Sequence, residues 1–338
     1  MKIRKRAVAA AITFSLMATP ITPVAQAQTP SVSTTTEAAE LIGMLAQIMP
    51  ANNKQITQAL TALALVIAGI AVVAPLVEAG SSIRNGTAVS QGVKTRRITV
   101  GGKSRSYDVV LPAGHSADKS YPVIIGFGGW QHDAARTRDY ERFETATDGA
   151  IVIYAQGVDN AWAGAPYAKT SIDEDIAYVR ALIDDASQTF GADPDRVAVA
   201  GLSNGGGFAA ALACHAPETI TAAAAVAGAY YSPTVTGCES GAVPVLLMHG
   251  TNDDIVGYEG GTRHGASFEA AEDVLRTFGG KNGCLLLPRT SRTGNVTTIE
   301  PLNCDTETRL ERIEGGGHTW FTNPSASAET ARFLLQYL

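Results

Sequence analysis

The sequence predicts an α/β fold, a mostly parallel sheet with helices on both faces. Three observations carry that reading. Short continuous apolar runs rich in β-branched residues recur between residues 121 and 313, as in strands covered on both sides. Segments of helical period lie between them. Finally, Val197-Ala198-Val199-Ala200-Gly201-Leu202-Ser203-Asn204-Gly205 reads as a strand, a sharp turn and a helix start. A G-x-S-x-G at such a junction is a nucleophile elbow, in which glycines relieve the crowding around a strained serine.

The first 27 residues have the form of a signal peptide. Lys2, Arg4, Lys5 and Arg6 make a basic start, residues 7–18 are apolar, and Ala25-Gln26-Ala27 is a small-residue cleavage site. No cysteine precedes Cys214, which excludes a lipoprotein anchor at the cut. Removing this segment takes the formal net charge from −6 to −10, 22 Lys and Arg against 32 Asp and Glu. An acidic chain with no basic stripe argues against nucleic-acid binding.

Residues 28–95 differ in character from the remainder of the chain. Residues 28–36 are rich in Ser, Thr and Pro, residues 37–49 have helical period, and residues 59–77 are almost wholly apolar. Residues 80–86 read as a linker. The apolar run is long enough to suggest a membrane span, but much of it is alanine, which makes insertion marginal. A span there would also leave the cysteine-bearing remainder in a reducing compartment. Two readings remain for residues 37–79: a helical hairpin that packs on the main domain or on a second copy, or association with envelope lipid after export.

From residue 96 the α/β domain runs to residue 338. Residues 97–100 and 106–111, joined through Gly101-Gly102, make an opening hairpin. Residues 121–127 form a strand entering Gly128-Gly129-Trp130, and residues 150–154 form another. Residues 171–190 are a helix, with Ser171 and Glu174 as a capping box. Asp193-Pro194-Asp195 turns the chain into the elbow strand, and residues 208–213 continue as a helix after it. Residues 243–248 and 309–313 are the last core strands, and residues 268–278 and 325–338 are helices.

Two loops at strand ends supply partners for Ser203. After residues 243–248 comes His249-Gly250-Thr251-Asn252-Asp253-Asp254, and after residues 309–313 comes Glu314-Gly315-Gly316-Gly317-His318-Thr319-Trp320. The order Ser, Asp, His along the chain is that of an α/β-hydrolase triad. His318 would take the hydroxyl proton and Asp253, one residue nearer the strand than Asp254, would fix its tautomer. His132, His215 and His264 have weaker claims, and His249 reads as a structural histidine that ends a strand. The oxyanion hole would use the Asn204 N–H and one from Gly129 or Trp130.

Cys214, Cys238, Cys284 and Cys304 are an even set in an exported chain, which points to disulfides. Neighbourhood pairs Cys214 with Cys238 and Cys284 with Cys304. The chain has no C-x-x-C and no H-E-x-x-H, which argues against a zinc site, and no cofactor is expected.

Residues 96–338 resemble the secreted esterase family of poly(3-hydroxybutyrate) depolymerases, feruloyl and acetylxylan esterases and LpqC-like proteins. The resemblance rests on Tyr154-Ala155-Gln156-Gly157 with Asn160 and Trp162, on Asp193-Pro194-Asp195-Arg196-Val197, and on Gly201-Leu202-Ser203-Asn204-Gly205-Gly206. His249-Gly250-Thr251-Asn252-Asp253 and Gly315-Gly316-Gly317-His318-Thr319-Trp320 complete it. It implies an α/β-hydrolase fold and an exported, metal-free serine ester hydrolase with Ser203, Asp253 and His318 as triad. Its substrate would be a hydroxyalkanoate, feruloyl, acetyl or envelope lipid ester. The chain departs from the family pattern in having Phe127-Gly128 for His-Gly, Val256-Gly257-Tyr258 for Val-Pro-Tyr, and the segment 28–95. Trp130, Trp162, Tyr230 and Tyr231 are candidates to line an acyl or aryl pocket. A serine peptidase of the same fold and an inactive hydrolase fold serving as an envelope or adhesion module are the competing readings.

Overall fold

The computed structural model describes residues 92–338. The expected signal peptide and residues 28–91, including the apolar run at 59–77, lie outside the described residues. Ten strands form one sheet. Its centre is parallel: β4 (Ile151–Ala155), β3 (Tyr121–Phe127), β5 (Ala192–Leu202), β6 (Ala222–Val226), β7 (Val245–Gly250) and β12 (Thr308–Ile313). The antiparallel hairpin β1 (Lys94–Val100)–β2 (Lys103–Val110) extends one edge. The hairpin β10 (Leu285–Thr293)–β11 (Val296–Leu302) extends the other. From edge to edge the order is β1-β2-β4-β3-β5-β6-β7-β12-β11-β10.

The apolar strands bury both faces, and alternation divides each between two cores. Val123, Ile125 and Phe127, with Val197, Val199, Val245 and Leu247, face one core. Helices α2 (Ile172–Phe190), α3 (Asn204–His215), the short α4 (Ser232–Val235) and α5 (Ala271–Lys281) cover that core. Ile124, Val152, Ala198, Ala200, Leu246 and Met248 face the other, beneath α6 (Ala326–Leu334) and Ala134 of α1 (Ala134–Glu141). At about 25 cal/mol per Å² of apolar surface removed from water, this double burial is the main force holding the layers together.

Local signals explain most elements. Ser171 caps α2 and Glu174 completes the box, and Gly191 ends it in the left-handed conformation. Asp193 accepts the Asp195 N–H at 3.1 Å, and the register of β3 against β5 slips there, so the turn expected at 193–195 is an irregular start to β5. The disulfides are Cys214–Cys238 and Cys284–Cys304. Each closes a loop worth roughly 3 kcal/mol in the chain-entropy account.

Four elements differ from the sequence reading. Phe268 ends a short strand, β9 (Ala266–Phe268), which pairs with β8 (Gly261–Arg263), so α5 begins only at Ala271. Phe268 also bridges to Tyr231, and burial of its ring overrides the helical pattern. β7 runs on through His249 and Gly250 because its parallel partner β12 continues to Ile313. The residues Glu300-Pro301-Leu302-Asn303 read as a turn in the sequence, yet Glu300, Pro301 and Leu302 lie in β11. The helix expected over 325–338 stops at Leu334 and tightens into a 3₁₀ turn.

Candidate active site

The site is built on the carboxyl edge of the parallel strands. Ser203 ends the β5 strand–turn at φ 56° and ψ −118°, a conformation costly for a residue with a Cβ. The fold tolerates it because Gly205 lets α3 approach β3: a Cβ there would stand 2.0 Å from the Phe127 carbonyl oxygen. Ser203 N–H donates to Val226 O at 2.9 Å, and Ser203 O accepts from Gly207 and Ala229. The strained serine is therefore held from both sides.

His318 reaches Ser203 from the loop after β12. Its Nε2 lies 2.9 Å from Ser203 Oγ and its Nδ1 2.7 Å from Asp253 Oδ2. The loops after β7 and β12 meet closely, since a Cβ on Gly250 would lie 2.2 Å from the Gly316 carbonyl oxygen. Asn252 N–H donates to Gly316 O at 2.8 Å and Gly315 N–H to Thr251 Oγ1 at 2.9 Å, which ties acid loop to base loop. Asp253 Oδ1 accepts the N–H groups of Ile255 (2.9 Å) and Val256 (2.8 Å). Burial alone would raise the Asp253 carboxyl, but hydrogen bonds from His249, His318 and Val256 outweigh it and hold it well below the usual carboxylate range. Asp254 is exposed beside it.

Asn204 follows the nucleophile as the first residue of α3, where amides have no intrahelical acceptor and the helix dipole is positive. Its side chain is locked to Trp162, accepting the Trp162 N–H at 2.7 Å and donating to Trp162 O at 3.0 Å. Opposite stands the loop after β3, where a Cβ on Gly129 would be 3.4 Å from Ser203 Cβ. Gln131 N–H donates to Asn160 O at 2.8 Å. Gln156 in turn donates to Asn160 Oδ1 at 2.6 Å and accepts Ala134 N–H at 2.8 Å. The polar residues of the 154–162 motif therefore brace the loop facing Ser203.

Over residues 140–244 the chain matches a family with the α/β hydrolase fold, a span that includes Ser203 and stops before Asp253 and His318. It is 28% identical over 230 residues to feruloyl esterase B of Piromyces equi, 63% of this chain and 42% of that protein. It is 25% identical over 189 residues to feruloyl esterase C of Emericella nidulans, 53% of this chain and 63% of that protein. The matches thus span less than two thirds of these relatives. Among solved structures, acetyl xylan esterase from Aspergillus awamori superposes with a TM-score of 0.54 at 15% identity, covering 71% of this chain and 99% of that one. The fold is that of an α/β hydrolase.

In this fold the departures from the pattern of the family the chain resembles have local explanations. Phe127, where a histidine is usual, is fully buried and packs edge-on against Trp162 at 4.8 Å and Phe208 at 5.0 Å. Tyr258, beyond Gly257, is anchored by its hydroxyl on Glu272 at 3.0 Å. Of the pocket candidates, Trp162 and Tyr230 are core, Tyr231 is buried beside Phe268, and Trp130 is 39% exposed.

Around the loop after β3, Tyr167 escapes sequence reasoning, while His132 and His264, weaker candidates for the base, are placed outside the triad. Tyr167 stacks on Trp130 at 4.4 Å, and His264, at the turn between β8 and β9, meets both rings edge-on at 5.1 and 5.0 Å. His132 stands over the loop facing Ser203, tilted against Tyr140 at 5.1 Å. Burial first, then Arg136 and His318, lowers its imidazole to about 4 against the opposing pull of Asp133. It is neutral at neutral pH. His215 instead bonds the Pro233 carbonyl at 2.9 Å on the far side of α3. Among the described residues no group of three or more His, Cys, Asp or Glu is arranged to hold a metal.

Proposed function

We propose that this chain is an exported serine carboxylic-ester hydrolase working through an acyl-enzyme. The observation that carries the reading is the continuous contact Ser203 Oγ–His318–Asp253, at 2.9 and 2.7 Å, at the positive end of α3. Names of relatives as feruloyl esterases support the ester substrate. As Ser203 Oγ attacks the ester carbonyl, His318 Nε2 takes its proton. The negative charge forming on the carbonyl oxygen meets the N–H of Asn204 and that of Gly129 or Trp130. The imidazolium, its Nδ1–H held by Asp253, then gives the proton to the departing alcohol. Water attacks the acyl-serine with the same histidine as base, which releases the acid and restores the serine.

Trp130, which follows the Gly129 that faces Ser203, stacks on Tyr167, and this pair favours an ester carrying a planar ring, such as a feruloyl group. Acetyl, hydroxyalkanoate and envelope lipid esters are the alternatives. The basic, apolar start of the chain and the two disulfides support export. Residues 37–79 would then tether the enzyme to envelope lipid or join two copies.

The test combines a fluorophosphonate probe with a substrate panel. The wild type should be labelled at Ser203 and cleave esters faster than peptide anilides. S203A should be unlabelled, with kcat down on the order of 10⁴ to 10⁶. An unlabelled wild type would mean an inactive hydrolase fold, and faster anilide cleavage a peptidase. W130A should lose about tenfold in kcat/KM on methyl ferulate while p-nitrophenyl acetate changes little. Residues 28–338 and 88–338 should differ in fractionation or in size-exclusion volume; identical soluble monomers would reject the tether.

A further inference from the structure

We propose that His249 is a positioning residue that locks Asp253 in place from the side opposite His318. This inference rests on the proposed triad of Ser203, His318 and Asp253. His249 closes β7, and its side chain is 1% exposed. Its Nε2 lies 2.8 Å from the Val256 carbonyl oxygen and 3.3 Å from Asp253 Oδ2, the oxygen that also receives His318. A carbonyl can only accept, so Nε2 carries the hydrogen. That hydrogen points mainly at Val256 and leans on the carboxylate. Nδ1 is buried without a hydrogen-bond partner, so the ring is held through Nε2 alone.

The consequence is a closed clamp. Val256 is held at both ends, its N–H on Asp253 Oδ1 and its carbonyl on His249. Asp253 is thus gripped by two backbone amides on one oxygen and flanked by two imidazoles at the other. Gly257, next in the chain, puts no restraint of its own on the loop. A purely structural histidine would need only the Val256 bond. The second contact, to the oxygen that serves His318, couples His249 to the reaction.

The charged and titratable groups around this cluster come from seven elements. They are Asp253 and Asp254 of the acid loop, His318 and Ser203 in the site, and His132 beyond them. Tyr230 and Tyr258 stand beside the His249 ring, with Glu272 and Arg312 behind Tyr258. Substitution of His249 alone leaves these groups unchanged. Loss of the His249 donor leaves Asp253 freer to attract the His318 imidazolium. The acid limb of kcat/KM should therefore move to higher pH.

The experiment compares H249F, which keeps a ring and loses the donor, with H249Q, whose amide can reach both acceptors. H249F should lower kcat by about 10- to 100-fold with KM little changed and move the acid limb up by about half a pH unit. H249Q should restore both to near wild type. In a D253N background H249F should cost less than about twofold more, because its effect passes through Asp253. If H249F does not accumulate folded, H249N replaces it, since its shorter amide reaches neither acceptor. Equal losses in H249F and H249Q, an unmoved acid limb, or a full penalty persisting in D253N would each overturn the proposal. D253N alone judges the triad: if it retains activity both ideas fall, and if it does not, the His249 series stands or falls by itself.

Discussion

Asp175 and Asp253 are both aspartates with wholly buried side chains, yet they differ in protonation behaviour. Asp175 faces a full cation, Arg105, whose Nη1 is 2.9 Å from Oδ1 and whose guanidinium lies over Tyr178 at 3.9 Å. Its Oδ2 accepts from Ala163 N–H at 2.9 Å and Thr170 Oγ1 at 2.8 Å. Burial nevertheless outweighs Arg105 and these bonds, and its carboxyl is raised. Asp253 has no Arg or Lys partner and is lowered, because donors reach both of its oxygens. The close Arg105 contact leaves Asp175 Oδ1 without an aligned hydrogen bond. Donors on both oxygens thus hold Asp253 below the ordinary carboxylate range, while burial with one oxygen lacking an aligned bond holds Asp175 above it. Asp175 staples α2 to β2 and the loop after β4; Asp253 presents a fixed negative charge to a histidine at the mouth.

The largest expected effect breaks the comparison at the site. D253N should lower kcat by around 10⁴, since the amide cannot hold the His318 tautomer, and leave the melting temperature nearly unchanged. D254N, on the exposed neighbour, should change kcat by less than about tenfold. Ester kinetics on both variants decides it. If D254N were the more damaging, Asp253 would be another structural aspartate like Asp175.

Much of this contrast was legible in the chain, for a physical reason. A strained serine, an acid and a base each sit at the end of a parallel strand, where local glycine and turn chemistry marks them. Ser203, Asp253 and His318 could therefore be named from short motifs, and the structure brings them within hydrogen-bond reach. Tyr167 and His264 carry no such mark. They meet Trp130 only because loops after β4, β7 and β3 converge, which no local pattern records. β6 was hidden too, as Ala222-Ala223-Ala224-Ala225 has little strand propensity and is extended by its neighbours β5 and β7. The His249 contact illustrates the same limit: its place at a strand end was readable, its reach to Asp253 was not.

The next effect, smaller in rate and larger in stability, tests the staple. D175N should leave Arg105 buried without a counter-charge and cost about 3–5 kcal/mol. The folded fraction should keep kcat within a few-fold. Chemical denaturation together with kinetics normalised to probe-labelled enzyme checks both halves. A catalytic loss rivalling D253N with unchanged stability would invert the assignment of the two aspartates.

The smallest expected effect uses a third buried acid, Glu141, as the case with no partner at all. It ends α1 with 0% exposure, and neither carboxyl oxygen has a hydrogen-bond partner. Burial first, and then the nearby Glu144, raise its carboxyl well above the ordinary range. The sign follows directly. In the unfolded chain Glu141 loses its proton near the ordinary glutamate value, while in the fold it keeps the proton. Its contribution to stability is therefore fully present below about 4.3 and is lost as pH rises toward the folded value. E141Q keeps the shape, remains neutral and removes that pH-dependent loss. The gap in melting temperature between E141Q and wild type should grow as pH rises from 4 to 8, reaching about 2–4 °C if the gain is about 1 kcal/mol. Calorimetry across that range measures it. A gap that shrinks with rising pH would mean Glu141 is ionised in the fold, held as Asp253 is by donors, and the rule drawn from the two aspartates would fail at its simplest case.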